Sequence, residues 1–447
     1  MEEELLPIIE PLVEKARRLG ADEVEFYAQK EKTNTAYVES SKIKSAISNI
    51  DQGIGIRVLK NKSLGYSCTN SFEKRKIDLC LDKALSFAKI TPPENNYFLG
   101  KKQKVPKVGG LYDANIEVIS INDCINYASE FIEQCYAIDK RINMESGAFT
   151  SSTLTNAIAT SNDISLEEKK TVFTIEVGGM ATDGQNIGSW DEEYTNYVTM
   201  KDINTEAIAQ KFVKKIINNL NAMKTKSFVG DAILSPEVMR SFISIITRSA
   251  KANAIQTNRS YLCDRLGEKI FHDDLTIIDD GSLPASYASS SFDREGTPHK
   301  EYTIINKGIF SAVLYDTFSA NNDSLLSTGH ARSSYRDLPE IAVTNIEMKP
   351  GRMTVEEMIS ETKEGILFNR ISSSPDPISG DFAAVLKGGR RIKNGEVKET
   401  LKEITAVGNI FEMMNSEFQR SKEQKELKYF ESWKVPYIKT TGMKYIT

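Results

Sequence analysis

The chain is short of the residues from which most enzyme sites are built. Only three histidines occur in 447 residues, His272, His299 and His330, and none stands between Met1 and Phe271. No two of them lie three to five residues apart, which excludes HExxH, HExxxH and zinc-finger spacings as local metal sites. Cysteine is nearly as sparse. Cys68, Cys80, Cys124, Cys135 and Cys263 are odd in number and scattered, with no CxxC pair, a usage that reads as reduced thiols. A net charge of -5 gives no footprint for nucleic acid. No apolar run approaches the roughly 18 residues of a membrane span, and MEEELLPIIEPLVEKARRLGA is acidic and amphipathic where a leader would be cationic. A cytoplasmic protein with neither nucleic acid nor membrane as partner is expected.

Nucleophile and nucleotide signatures are missing as well. There is no GxSxG elbow, and Cys263 has Asp264 beside it where a reactive thiolate needs a cation. Gly53 and Gly55 in DQGIGIRVL belong to no GxGxxG or GxxxxGK[ST] frame, so they mark a bulge or a close backbone approach in a strand. The acids Asp279, Asp280, Asp293 and Glu295 do not follow an EF-hand loop and read as turn formers. A site assembled at a distance from His272, Asp273, Asp274 and His299 stays open, against the simpler reading of HDDLTIIDD as a strand edge bounded by acids.

What is present is a long chain with 40% hydrophobic and 27% charged residues, enough for two or three separate cores. Helical spacing of Leu5, Ile8, Ile9, Leu12, Val13 and Ala16 is followed by alternating segments and a second helix near Lys74 to Lys89. The linker TPPENNYFLGKKQKVPKVGG then interrupts regular structure. Helices near Ile121 to Ala137 and Thr205 to Leu220 bracket further alternating segments. After Lys226 a strand leads to a helix that Ser235 is placed to cap, with Pro236 at its first position and Glu237 next to it. Short strands and turns dominate the rest, with one helix near Thr354 to Gly365 and a hairpin turn at Asn394 and Gly395. The reading is α+β: a helix-sheet domain at 1–92, a central α+β domain at 110–224 and a mostly antiparallel, β-rich domain at 225–447.

The run from Leu266 to Gly351 carries LGEKI, DDGS, SFDREGTPH, NKGIF, YDTFSAN and STGHAR in order, glycine and acid punctuation between short apolar runs. Together with DQGIGIRVLKNKSLGYSCTN, IATSNDISLEEKKTVFTIEVGGMATDG and ISGDFAAVLKGGRRIKNGEV, this series resembles the TldD/PmbA family, and within it the PmbA (TldE) branch. The family's catalytic branch is a zinc metallopeptidase with HExxxH on a helix and a cysteine near the C-terminus. Counting back from Leu266-Gly267-Glu268, those helix positions fall on Ile243, Ser244 and Arg248, and the last cysteine is Cys263. Isoleucine cannot ligate zinc, serine is no general base and arginine repels a cation.

The resemblance therefore implies a non-catalytic subunit that binds no metal of its own and pairs with a TldD-like subunit holding the zinc. The pair would act on unfolded peptides. Arg259, Asp280 and Arg332 are the candidates for lining its peptide chamber, with turns or surface ion pairs as the plainer account of each. Two other functions stay open: a hydrolase active by itself through an atypical site, and a stand-alone peptide-binding protein.

Overall fold

The computed structural model describes residues 4–429 and 431–447. Its first half is organised by one sheet. Strands β1 (Glu23–Glu39), β2 (Lys42–Lys60), β3 (Ser63–Thr69), β4 (Ile142–Thr160), β5 (Ser165–Asp183) and β6 (Asp191–Tyr197) are six of its seven strands, in the order β3-β2-β1-β4-β5-β6, with the two-residue strand Asn186–Ile187 also on β5. All neighbours are antiparallel. The segments 1–92 and 110–224 thus meet along β1 and β4, whose register runs from Glu25↔Thr160 to Glu39↔Ser146. The alternating segments on either side of Lys32, and those on either side of Ser152, are in each case one uninterrupted strand.

Alternation gives this sheet two different faces. Phe26, Ala28, Ala36 and Val38 of β1 point to one side, where Ala157, Ala159 and Phe149 of β4 and Phe173 and Ile175 of β5 join them. Four long helices cover that side in two groups. Helices α1 (Leu6–Arg18) and α2 (Lys74–Ile90) bury Ile9, Ala16, Ile77, Leu81 and Ala84 over one end. Helices α3 (Ile121–Ile138) and α4 (Thr205–Ile217) bury Phe131, Cys135, Phe212 and Ile216 over the other. Ser120 and Asp123 start α3 with a reciprocal capping box. The opposite face carries Glu25, Tyr27 and Gln29 toward the C-terminal half.

Beyond residue 226 the chain builds a second, mostly antiparallel sheet. Its strands include β7 (Phe228–Leu234), β8 (Ile277–Asp280), β9 (Glu301–Asn306), β10 (Asn345–Met348), β11 (Glu364–Phe368), β12 (Arg390–Lys393), β13 (Glu396–Thr400), β14 (Gln419–Lys428) and β15 (Ser432–Ile446). They run β9-β8-β10-β15-β7-β11-β12-β13, with β14 on β15 and only the β10/β15 and β7/β11 pairs parallel. Helix α5 (Pro236–Ser249) buries Val238, Met239, Phe242, Ile243 and Ile246 in its core. The α+β reading holds for the whole molecule. No helix among the described residues is long and apolar enough to cross a membrane.

Local expectations met different outcomes. Asn394 and Gly395, both at positive φ, join β12 to β13 as a tight hairpin. Ser235 occupies the N-cap of α5 without capping it, because its buried hydroxyl donates instead to the Asn369 carbonyl at 3.2 Å. The helix expected to reach Gly365 spans only Val355–Ser360, since Glu364 to Phe368 are drawn into β11 beside β7. The Leu266 to Gly351 run is less regular than its punctuation predicts. Between β8 and β9 the backbone follows a long shaped loop, and from Ser311 to Thr344 loops are broken only by a short helix at Thr317–Asn322 and the paired segments Ala331–Arg332 and Glu340–Ile341.

Candidate functional site

Those loops close over the polar face of the first sheet and leave a cavity of about 410 Å³ between the two halves. Cross-strand register sets its floor. Gln29 of β1 lies opposite Asn156 of β4, which lies opposite Glu168 of β5, while Leu154 faces Lys170 one step along. The roof comes from Tyr287, Phe292, Asp293 and Arg294, with His299, His330 and Arg332 beyond them.

A buried charge network ties floor to roof. Glu25 and Arg57 are opposite one another on β1 and β2, and Arg57 reaches Glu25 at 2.6 Å and Glu295 at 2.8 Å. Arg294 donates Nη1 to Glu25 at 2.7 Å, and its guanidinium stacks 3.8 Å from the Tyr27 ring centre. Two arginines thus balance two glutamates with their side chains almost fully buried, an arrangement whose loss of one member leaves a stranded buried charge. Burial works to raise the Glu25 carboxyl, and the two guanidinium groups overcome it and hold the pKa below the usual range. Asp293 accepts backbone N–H bonds from Glu295 and Thr297 on one oxygen and from Ala331 on the other. Burial and the Glu295 carboxylate push its pKa up against those donors.

Lys170 and the two cavity histidines are the remaining titratable groups of interest. Lys170 Nζ donates to the carbonyls of Ser289 at 2.5 Å and Tyr287 at 3.3 Å. Burial drives its pKa down to about 8, with Glu168 opposing. Burial, then the neighbouring His330, lowers His299 to about 3, so that imidazole is neutral at physiological pH. His330 sits between Thr328 Oγ1 at 2.7 Å and Asp279 Oδ2 at 3.3 Å.

A loop latch seals one end. Tyr335, only 1% exposed, lies on Gly53 and Gly55 of β2, where an added Cβ would come within 2.2 Å of its ring and 2.5 Å of its carbonyl oxygen respectively. Its hydroxyl donates to Asp51 at 3.0 Å, and Arg336 pairs with the same carboxylate. The two glycines are therefore sites of close backbone approach.

The residues singled out from sequence are dispersed. Arg332 lines the cavity, with Nη1 3.9 Å from Glu431. Arg259 is an exposed residue in the turn after Ala252–Gln256, away from the cavity lining. Asp280 ends β8 and accepts from the Ser282 N–H and hydroxyl, a turn former outside the cavity lining. Ile243 is fully buried in the core, the Ser244 hydroxyl donates to Ser241 of its own helix at 2.7 Å, and Arg248 is exposed in the last turn. His272 packs edge-on to Phe418 near Asp274, whereas His299 belongs to the cavity. Among the described residues, no group of three or more His, Cys, Asp and Glu is arranged to hold a metal ion. Asn156, Lys170 and Arg294 were not singled out. The signal available for them was polar side chains alternating on the cavity face of a strand, and a DRE triplet inside an otherwise uncharged turn.

Fold and cavity define a two-sheet α+β protein whose polar chamber lies between an N-terminal and a C-terminal half. Family models described as PmbA/TldA metallopeptidase domain 1, central domain and C-terminal domain match residues 24–88, 114–220 and 228–447. The chain belongs to the PmbA/TldD family. It is 28% identical to an uncharacterized protein of Methanocaldococcus jannaschii, covering 84% of this chain and 86% of the relative. It is 24% identical to the zinc metalloprotease TldD homolog of Saccharolobus solfataricus, covering 90% of each, and 24% identical to metalloprotease PmbA of Escherichia coli O157:H7, covering 82% and 80%. The crystal structure of TldE from Thermococcus kodakarensis superposes with a TM-score of 0.91 at 21% identity, covering 98% of this chain and 100% of that one.

Proposed function

We propose that this metallopeptidase-like chain is the TldE/PmbA-type subunit of a cytoplasmic heterodimeric peptidase, holding unfolded peptide while a TldD-like partner supplies zinc and cleavage. The observation that carries this reading is the chemistry of α5. At the positions aligned with HExxxH it has a core isoleucine, a hydroxyl bonded to its own helix and an exposed guanidinium. None of the three fits a zinc ligand or a base, so no metal-dependent step is assigned to this chain. A peptide-holding role is supported by the polar chamber and by the outer edge of β2 from Lys42 to Gly53, which no described strand pairs, since β3 covers only Ile54 to Lys60. Such an edge takes up an extended chain through main-chain hydrogen bonds without reading its sequence.

The test is co-expression with a TldD-type chain. A stable complex is expected, with metal analysis finding zinc at one site in the partner and peptide cleavage requiring both chains. One zinc bound per molecule of this chain alone, with cleavage of an unstructured peptide, would replace this reading by an independently active hydrolase.

A further inference from the structure

Residues 101–107, KKQKVPK, cross the surface as a strap without helix, strand or turn. Both ends are fastened. At one, the Leu99 N–H donates to Glu23 Oε2 at 2.9 Å and the Gly100 carbonyl accepts from the Asn162 amide at 3.2 Å. At the other, the Val108 N–H donates to Ser291 Oγ at 2.9 Å and the Gly109 carbonyl accepts from the Ala285 N–H at 2.9 Å. The strap therefore runs from the first sheet to the C-terminal half, and Val105 in its middle packs on the cluster of Tyr27, Ile158 and Phe292.

Its charge is uncompensated. Lys101, Lys102, Lys104 and Lys107 are all exposed, and among the described residues none pairs with or hydrogen-bonds to them or to the backbone of 101–107. Four cations without an acid in seven residues run against a chain whose net charge is -5. They lie within about 25 Å of chain, close enough to repel one another. The carboxylates around the strap are engaged elsewhere: Glu23 by Leu99 and Asn162, Glu167 by the N–H groups of Leu5 and Leu6, Glu168 by the N–H of Ser291. An anionic ligand laid along the strap relieves that repulsion.

The surroundings decide what carries the anions. Beside the strap lies a cleft of about 620 Å³, to which Val105, Leu166 and Phe292 give apolar walls. Glu168 and Phe292 line both this cleft and the chamber, so the two adjoin. Apolar walls and two glutamates suit an uncharged stretch of peptide and disfavour a phosphate backbone. The free N–H and C=O groups of the strap can bond to the main chain of an extended peptide beside it.

We propose that the strap at 101–107 binds the acidic residues of unfolded peptides, its four lysines pairing with glutamate or aspartate side chains while a neighbouring apolar stretch enters the cleft beside the chamber. This rests on the peptide-holding reading and specifies which peptides are held.

The experiment measures binding of labelled unstructured peptides to the full chain by fluorescence anisotropy, using one apolar segment preceded by four glutamates, four glutamines or four lysines. At low ionic strength the glutamate form should bind about tenfold more tightly than the glutamine form, since exposed ion pairs are individually weak and four act together. The lysine form should bind less tightly than either. At an ionic strength of about 1 M, where charges are screened within about 3 Å, the three should converge. Combining Lys101→Gln, Lys102→Gln, Lys104→Gln and Lys107→Gln should bring the glutamate form down to the glutamine form, with an unchanged thermal melt. A control combining Lys83→Gln, Lys89→Gln, Lys224→Gln and Lys226→Gln, all exposed, makes the same change in net charge and should keep the preference. Equal binding of the glutamate and glutamine forms, or a preference that survives in the strap variant, overturns the inference and leaves the peptide-holding role standing. An equal loss in the control assigns the preference to overall charge and overturns the strap as its site. A single-stranded oligothymidylate that binds as tightly as the glutamate form, and is lost in the strap variant, overturns the peptide in favour of nucleic acid. Failure of all three peptides to bind removes both the inference and the peptide-holding role.

Discussion

At the scale of single residues, a minority of the charged groups sit where little solvent reaches them. Glu237 illustrates how such a group is legible and how it is not. Its place in the first turn of α5, near the positive end of the helix dipole, is read directly from Ser235-Pro236-Glu237. Its partners are not, because Lys425 and Lys215 arrive from β14 and α4, which are remote in sequence. Burial acts to raise the Glu237 carboxyl, and the two ammonium groups overcome it and hold the pKa at about 2. A carboxyl depressed below its unfolded value of 4.5 contributes stability that is fully present above pH 4.5 and lost as the pH falls through 2. Glu237→Gln is therefore expected to cost about 3 kcal/mol at pH 7. In urea titrations the gap between variant and parent should close between pH 4.5 and 2, whereas a gap that stays constant to pH 2 would mean that the ion pairs contribute nothing.

At the scale of elements, the pairing of β2 with the loop 333–337 links the two halves. Alternation places Gly53, Gly55 and Arg57 on one face of β2, opposite Gln29, Tyr27 and Glu25 of β1. Two missing side chains make the groove in which Tyr335 lies, and the third position supplies the arginine of the buried network. In Gly53→Ala the new Cβ meets both the Tyr335 ring at 2.2 Å and the Thr69 carbonyl at 2.3 Å. Overpacking of this kind costs about 1–3 kcal/mol. The variant should melt at lower temperature and become open to trypsin at Arg336, which the latch otherwise holds against Asp51. An unchanged melt with Arg336 still protected would show that the latch tolerates a methyl group there. The close approach itself was readable from two glycines in a strand without a nucleotide frame. What approaches was not, because Tyr335 lies some 280 residues away and its contact with β2 is decided by how two sheets stack. The same limit applies to the cavity. Helix and strand periodicities found the elements, while the floor of the site depends on the β1/β4 register and the roof on loops whose backbone is bonded to buried side chains.

At the scale of the whole molecule, the helix-and-sheet units predicted at 1–92 and 110–224 share their sheet, and this has a consequence for folding. The core beneath α1 and α2 includes Ala157 and Ala159 of β4 together with Phe26, Ala28 and Ile56. Removing everything after residue 100 would leave β1 with an unpaired edge along its whole contact with β4, and would uncover the apolar side of α1 that touches it. Exposed strand edges of that length recruit other chains. A fragment of residues 1–226 keeps every described strand and helix of the first layer, and loses only the contacts to the C-terminal half. These include the Asn196 amide to the carbonyls of Lys428 and Tyr429 at 2.9 and 3.0 Å and the stacked rings of Tyr194 and Tyr429. Fragment 1–226 is expected to give a dispersed amide spectrum and a cooperative melt, and fragment 1–100 a collapsed spectrum with aggregation. If 1–100 melts cooperatively as a monomer, the first unit folds independently and β4 is an addition to it. If neither folds, the buried arginine and glutamate pairs between floor and roof are required for the first layer, and the chamber is built into the stability of the protein.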